Sequence, residues 1–168
     1  MLKPKIEKAI NEQINKELYS AYLYQAMSAH AANIGLEGIA NWMDIQAQEE
    51  MTHARKFYDY ILEQGGKIEL VAIEKPDSDY QTVKDMFEKT LAHEKLVTAS
   101  IHDLVYLARE ERDYATEIFL SWFVTEQVEE ESNVNAILDK LKLIGDGGNG
   151  LFMIDKDLST RVFTSPVA

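Results

Sequence analysis

The sequence predicts an all-α fold, a four-helix bundle with one long crossover connection and a short C-terminal fifth helix. Three observations carry that expectation. Four long segments rich in Ala, Leu, Glu, Lys and Gln repeat apolar residues every three or four positions, and the glycines gather between them. The connections run short, long, short, so helices one and two form one hairpin, three and four another, and a long stretch joins the two. Finally, each apolar stripe is interrupted by polar side chains at corresponding levels.

The first helix is expected from about Pro4, which suits an opening turn, to Ile34, with Gly35 as its C-terminal cap. The second runs from Leu36 or Glu37 to Gln64 and stops at Gly65-Gly66. Residues 67–79, KIELVAIEKPDSD, lack helical period and contain Pro76. They end in the cap candidates Asp77, Ser78 and Asp79, so they read as the crossover. A third helix reaches about Arg109, a turn around Glu111 to Asp113 reverses the chain, and a fourth helix reaches about Ile144. The glycine-rich GDGGNG then leads into the apolar LFMIDKDL, expected as a short helix over about 150–160.

At 168 residues the chain suits a single domain, with the bundle over about 4–144, and its 46% hydrophobic content is enough for one continuous core. The formal net charge of -12 disfavours a nucleic-acid or anionic-membrane partner and favours cations. The absence of cysteine excludes disulfides and thiolate ligands, so a bound metal must be held by oxygen and imidazole. No N-terminal apolar region and no membrane-length apolar run is present, and a soluble cytoplasmic protein is expected.

The chemistry lies in the stripes. The first helix presents Ile6, Ile10, Gln13, Glu17, Ala21 and Tyr24; the second presents Ile39, Met43, Gln46, Glu50, His53, Phe57 and Ile61. The third presents Val83, Phe87, Thr90, Glu94, Val97, Ile101 and Leu104; the fourth presents Phe119, Phe123, Gln127, Glu130, Val134, Ile137 and Leu141. Glu17 and Glu94, Glu50 and Gln127, and His53 and Glu130 are each 77 positions apart, and in both halves the lone carboxylate precedes the paired motif by 33. Two hairpins related by a pseudo-twofold axis would therefore bring all six side chains to one level. An isolated acid on a helix is ordinarily solvated, and a lone His is ordinarily packed. Four carboxylates buried at one level, however, would repel one another and stay unsolvated, a difficulty that a pair of divalent cations removes.

These residues carry a family resemblance. NEQINKELYSAYLYQ, AQEEMTHARKFYDY, AHEKL, TEQVEEE and FMIDKDLST make the chain similar, over essentially its whole length, to the non-haem ferritins of bacteria and archaea. The resemblance implies a ferritin-like di-iron bundle that stores iron in a hollow homo-oligomeric shell, typically of twenty-four subunits. It also implies ferroxidase activity with Fe(II) as substrate and O2 as acceptor. It maps a first iron site to Glu17, Glu50 and His53 and a second to Glu50, Glu94 and Glu130, with Gln127 beside them and Glu50 bridging. A third, looser site maps to Glu49, Glu126, Glu129 and Glu130, and Tyr24 lies close to the centre.

Carboxylate-bridged bundles of the general type carry Glu-x-x-His on both motif helices, whereas the fourth helix here has Gln127-x-x-Glu130. With one imidazole fewer, the second iron should exchange more readily, which fits a transit site. Glu126, Glu129 and Glu130 share one side of their helix and, with Glu49, could pass iron onwards; without the resemblance, Glu126 and Glu129 would read as a solvated acidic face. Trp122 reads as packing, and His30, His93 and His102 find no place in the pattern. Met51 opens a haem alternative, because bacterioferritins use a Met at the equivalent point, but it is offset by about 100° from Glu50 and the second His is missing. A di-iron oxidoreductase acting on peroxide or an organic substrate, and a purely structural bundle, are the other readings.

Overall fold

The computed structural model describes residues 2–145 and 148–164, so Asp146 and Gly147 of the glycine-rich linker lie outside the described residues. Among the described residues five helices follow in order: α1 (Pro4–Asn33), α2 (Glu37–Glu63), α3 (Val83–Glu110), α4 (Tyr114–Ile144) and α5 (Gly148–Leu158). The first four form the bundle, with α1 packed chiefly on α2 and α3 chiefly on α4, and α5 lies mainly against α2.

Helix ends follow local chemistry. Pro4 opens α1, where a missing N–H costs nothing. At the end of α1, Gly35 has φ +80°, the Leu36 N–H reaches the Ala31 carbonyl, and the Gly35 N–H reaches the Ala32 carbonyl. This paired closure of orphan carbonyls requires a left-handed residue. The same arrangement ends α2 at Gly65 and α3 at Arg112, where a non-glycine residue takes φ 54°. The turn expected around Glu111 to Asp113 is this one, and Asp113 then caps α4 by accepting from the Thr116 N–H at 3.1 Å.

Two boundaries differ from expectation. The α3 helix begins later than Asp77, Ser78 and Asp79 predict, because Thr82 supplies the cap, accepting from the Asp85 N–H at 3.0 Å. The intervening Tyr80 is kept for packing: it is buried, meets His30 edge to face at 5.1 Å, and donates its hydroxyl to the Asp77 carbonyl. The α5 helix begins at Gly148 and ends at Leu158, slightly earlier than about 150–160. The crossover is pinned at its start by Asn11, whose side chain bonds the Lys67 carbonyl and the Glu69 N–H.

Docking of α5 is unusually close. The α2 N-terminus has no side-chain cap of its own, and Asp155 of α5 supplies an acceptor to the Ile39 N–H at 2.8 Å. Gly38 permits this approach, since a Cβ there would fall 1.6 Å from the Asp155 carbonyl oxygen. Ile154 and Leu158 are buried against the bundle.

Every stripe residue expected in the core is buried except Phe119, which is half-buried and stacks on Tyr60 at 3.9 Å. The apolar core is divided into two clusters. One contains Tyr24, Met27, Met43, Phe87 and Val134, and the other Ile10, Ile14, Phe57, Ile101 and Phe123. Between them lies a layer of polar side chains.

Candidate metal centre

All four bundle helices contribute to that layer. Glu17 and Gln13 come from α1, Glu50, His53 and Gln46 from α2, Glu94 and Thr90 from α3, and Glu130 and Gln127 from α4; each is at least 95% buried. Helical steps of three and four place these groups on the same face as the apolar stripes, so folding the hydrophobic core necessarily draws them inward.

The layer is only partly satisfied by its own hydrogen bonds. The Gln13 amide donates to Glu17 Oε1 at 2.8 Å, and the Gln46 amide donates to Glu130 Oε2 at 2.5 Å. Glu94 is engaged by the Tyr24 hydroxyl and, at 3.1 Å, by the Gln127 amide. His53 Nδ1 faces Glu50 Oε2 at 3.1 Å. In contrast, Glu17 Oε2, Glu50 Oε1 and His53 Nε2 are buried with no hydrogen-bond partner. Buried polar atoms ordinarily find one, and their loneliness costs on the order of 1–3 kcal/mol each.

Electrostatics sharpen this difficulty. Burial pushes the Glu17 carboxyl up to about 7. Burial, and then the charges of Glu94, Glu17 and Glu130, holds Glu50 well above the carboxylate range, while Glu130 is raised by burial and then by Glu94 and Glu49. The His53 imidazole is pushed down to about 4 by burial and by Lys56, so it is neutral and offers a lone pair. Three unpaired donor atoms, two of them carboxylate oxygens and one an imidazole nitrogen, suit a divalent cation with hard and borderline preferences. The ligand atoms of Glu17, Glu50 and His53 lie within 4.8 Å of one another, as do those of His53, Glu126 and Glu130.

The structure thus brings Glu17, Glu50 and His53 together as one potential ligand set. Glu130 and Glu126 approach His53 from α4, with Glu126 Oε1 3.9 Å from His53 Nε2. The Glu94 carboxylate belongs to the same layer but is turned towards Tyr24 and Gln127 and joins neither group of ligand atoms. Glu49 is half-buried and paired with Arg161 at 2.5 Å, and Glu129 is exposed. Trp122 packs edge-on against His53 at 5.5 Å, while His93 is engaged by Ser20 at 2.7 Å and His102 is exposed. Met51 lies on the solvent side of α2 with 52% exposure, directed away from the polar layer as its offset requires.

The family model for the ferritin-like domain matches residues 7–144, which span all four bundle helices. The chain belongs to the ferritin family. A bacterial non-heme ferritin from Escherichia coli is 44% identical over 160 residues, covering 95% of this chain and 97% of that one. A probable bacterial non-heme ferritin-like protein from Haemophilus influenzae is 46% identical over 158 residues, covering 94% and 96%. Among solved structures, a closed form of the Archaeoglobus fulgidus ferritin, engineered by site-directed mutagenesis, superposes with a TM-score of 0.96 at 46% identity, over 98% of this chain and 100% of that one. A humanized archaeal ferritin gives 0.96 at 48% identity, over 98% and 99%. As a member of this family the chain is an iron-binding storage protein. No helix among the described residues is long and apolar enough to cross a membrane.

Several participants in this ferritin's polar layer escape the pairing by 77. Gln13 and Gln46 each precede a ligand candidate by four positions, but their partners at the same offset are Thr90 and Phe123, so the two halves are supported differently. The inward donation of both amides was signalled only by glutamines standing in otherwise apolar stripes. Arg161, 112 positions from Glu49, carries no sequence signal at all.

Proposed function

We propose that this ferritin is a ferroxidase, binding Fe(II) at an intrasubunit dinuclear centre, oxidising it with O2, and depositing ferric oxyhydroxide inside a homo-oligomeric shell. The observation that carries this reading is the buried, unpartnered trio of Glu17 Oε2, Glu50 Oε1 and His53 Nε2. Family membership supplies the metal: iron is the cargo and substrate for which such a donor set is suited.

In this reading Glu17, Glu50 and His53 hold the first Fe(II). Glu50, Glu94 and Glu130, with Gln127 beside them, hold the second. Each ion gives up one electron, and the two together reduce O2 by two electrons. The raised carboxyls carry protons in the metal-free protein, so binding Fe(II) releases them and makes affinity rise with pH. The Gln13 and Gln46 amides orient Glu17 and Glu130, leaving one oxygen of each for metal. Tyr24, kept protonated by burial and by its bond to Glu94, stands where it can supply one electron, which with one more from Fe(II) at the third site would bring the total to the four that reduce O2 to water. Glu49, Glu126, Glu129 and Glu130 form the third, transit site.

The test is anaerobic Fe(II) titration followed by O2. About two to three ions should bind per chain, with proton release, and further iron should then accumulate as mineral. Iron that binds but never accumulates would overturn storage and favour a di-iron oxidoreductase.

A further inference from the structure

Arg161 lies beyond the end of α5, yet its guanidinium is drawn into the bundle. It sits over the Trp42 ring at 4.6 Å and meets Glu49 Oε2 through Nη2 at 2.5 Å. Nη1 donates to Gln46 Oε1 at 2.8 Å and to the Trp42 carbonyl at 3.3 Å. Gln46 relays the contact inward, because its amide donates to Glu130 Oε2. The Arg161 and Glu49 side chains are 21% and 19% exposed, so solvent screens the pair weakly. The supporting backbone is also held, with Asn41 donating to the carbonyls of Leu158 and Arg161.

We propose that Arg161 is the built-in counter-cation of the outer carboxylate cluster, and that iron occupies the third site by displacing its guanidinium from Glu49. This rests on reading Glu49, Glu126, Glu129 and Glu130 as that site. While the pair is intact the guanidinium occupies Glu49 Oε2 and leaves only the other oxygen for a ligand, and its fixed positive charge repels an arriving Fe(II). Burial raises the Glu49 carboxyl and Arg161 only partly offsets that rise, while its guanidinium holds one oxygen in place. Among the described residues no lysine or arginine is hydrogen-bonded or salt-bridged to Glu17, Glu50 or His53, so the first iron position fills before the outer one. Coupling is reciprocal: if the C-terminal segment opposes iron at Glu49, iron at Glu49 loosens the C-terminal segment.

Three variants of the assembled protein test this, each titrated anaerobically with Fe(II), and with Zn(II) as a redox-silent probe. Arg161→Gln removes the charge but retains an amide for Gln46, and its third equivalent should bind about tenfold more tightly, with the first changing by less than about twofold and the second by less than the third. Arg161→Lys retains the charge and should stay near the parent protein. Adding Glu49→Gln to Arg161→Gln should abolish the third equivalent. Independently, hydrogen exchange over residues 159–164 of the parent protein should accelerate when the third equivalent binds and not before. A third equivalent of equal affinity in parent and Arg161→Gln would overturn the displacement while the third site stands. An equal gain in Arg161→Lys would also overturn it, since loss of packing rather than charge would be responsible. Absence of a third equivalent from every protein would overturn the third site itself, and the displacement with it.

Discussion

Replacing Glu17 by Gln should stabilise the metal-free protein at neutral and alkaline pH, although the residue is a ligand candidate. The folded protein holds this carboxyl at about 7, against 4.5 for the ordinary group, chiefly because it is buried. Below the ordinary value both states are protonated and nothing is lost. As pH rises the unfolded chain ionises first, so the fold loses stability until pH passes about 7, after which the loss is constant. A difference of about 2.5 pK units corresponds to about 3 kcal/mol, of which about 2 kcal/mol should develop between about pH 5.5 and about pH 8. The substituted side chain keeps a polar amide beside Gln13 and carries no titrating proton. The assay is urea unfolding of chelator-treated parent and Glu17→Gln proteins at matched concentration, since assembly is linked to stability. The His53 and His93 imidazoles, both held near 4, impose an opposite loss as pH falls below their ordinary 6.5, and it cancels in the difference between the two proteins. Mn(II) should reverse the order, stabilising the parent more than the variant. Parallel pH profiles for the two metal-free proteins would refute the reasoning that burial of Glu17 opposes its ionisation.

Three further outcomes follow from the geometry. Glu50→Ala or His53→Ala should slow initial Fe(II) oxidation, followed by stopped-flow absorbance, by at least about tenfold, whereas Glu129→Ala, altering an exposed side chain, should change only later turnover; equal initial rates in all three would contradict that division. Gly38→Ala would press a methyl group to 1.6 Å from the Asp155 carbonyl, so it should cost about 2 kcal/mol in unfolding experiments and expose the α5 amides to hydrogen exchange; unchanged protection would show that α5 is docked otherwise. Arg112→Gly should raise stability by about 0.5–1 kcal/mol, because a non-glycine residue holds φ 54° there, and thermal unfolding reads the shift.

Much of the architecture was legible because it is written in short-range terms. A period of 3.6 residues identifies a helix wherever it occurs, and the same period identifies the inward face. Gly35 and Gly65 end their helices by adopting a left-handed conformation that few other residues tolerate, so those stops could be read one residue at a time. The start of α3 was less legible, since Asp77, Ser78, Asp79 and Thr82 are all competent caps. The choice among them depends on burying Tyr80 against His30, a contact across 50 positions.

By itself, then, the sequence determined which residues converge: the repeated spacing of 77 places Glu17, Glu50, His53, Glu94, Gln127 and Glu130 at one level, and burial of the flanking stripes forces them into the core. The tertiary structure decided what each does there. It leaves Glu17, Glu50 and His53 with unpartnered atoms, turns Glu94 towards Tyr24, and sets Arg161 against Glu49. The physical reason is that helical phase is a property of neighbours in the chain, whereas hydrogen-bond partners are chosen by which side chains the folded backbone brings within about 3 Å, whatever their separation in sequence.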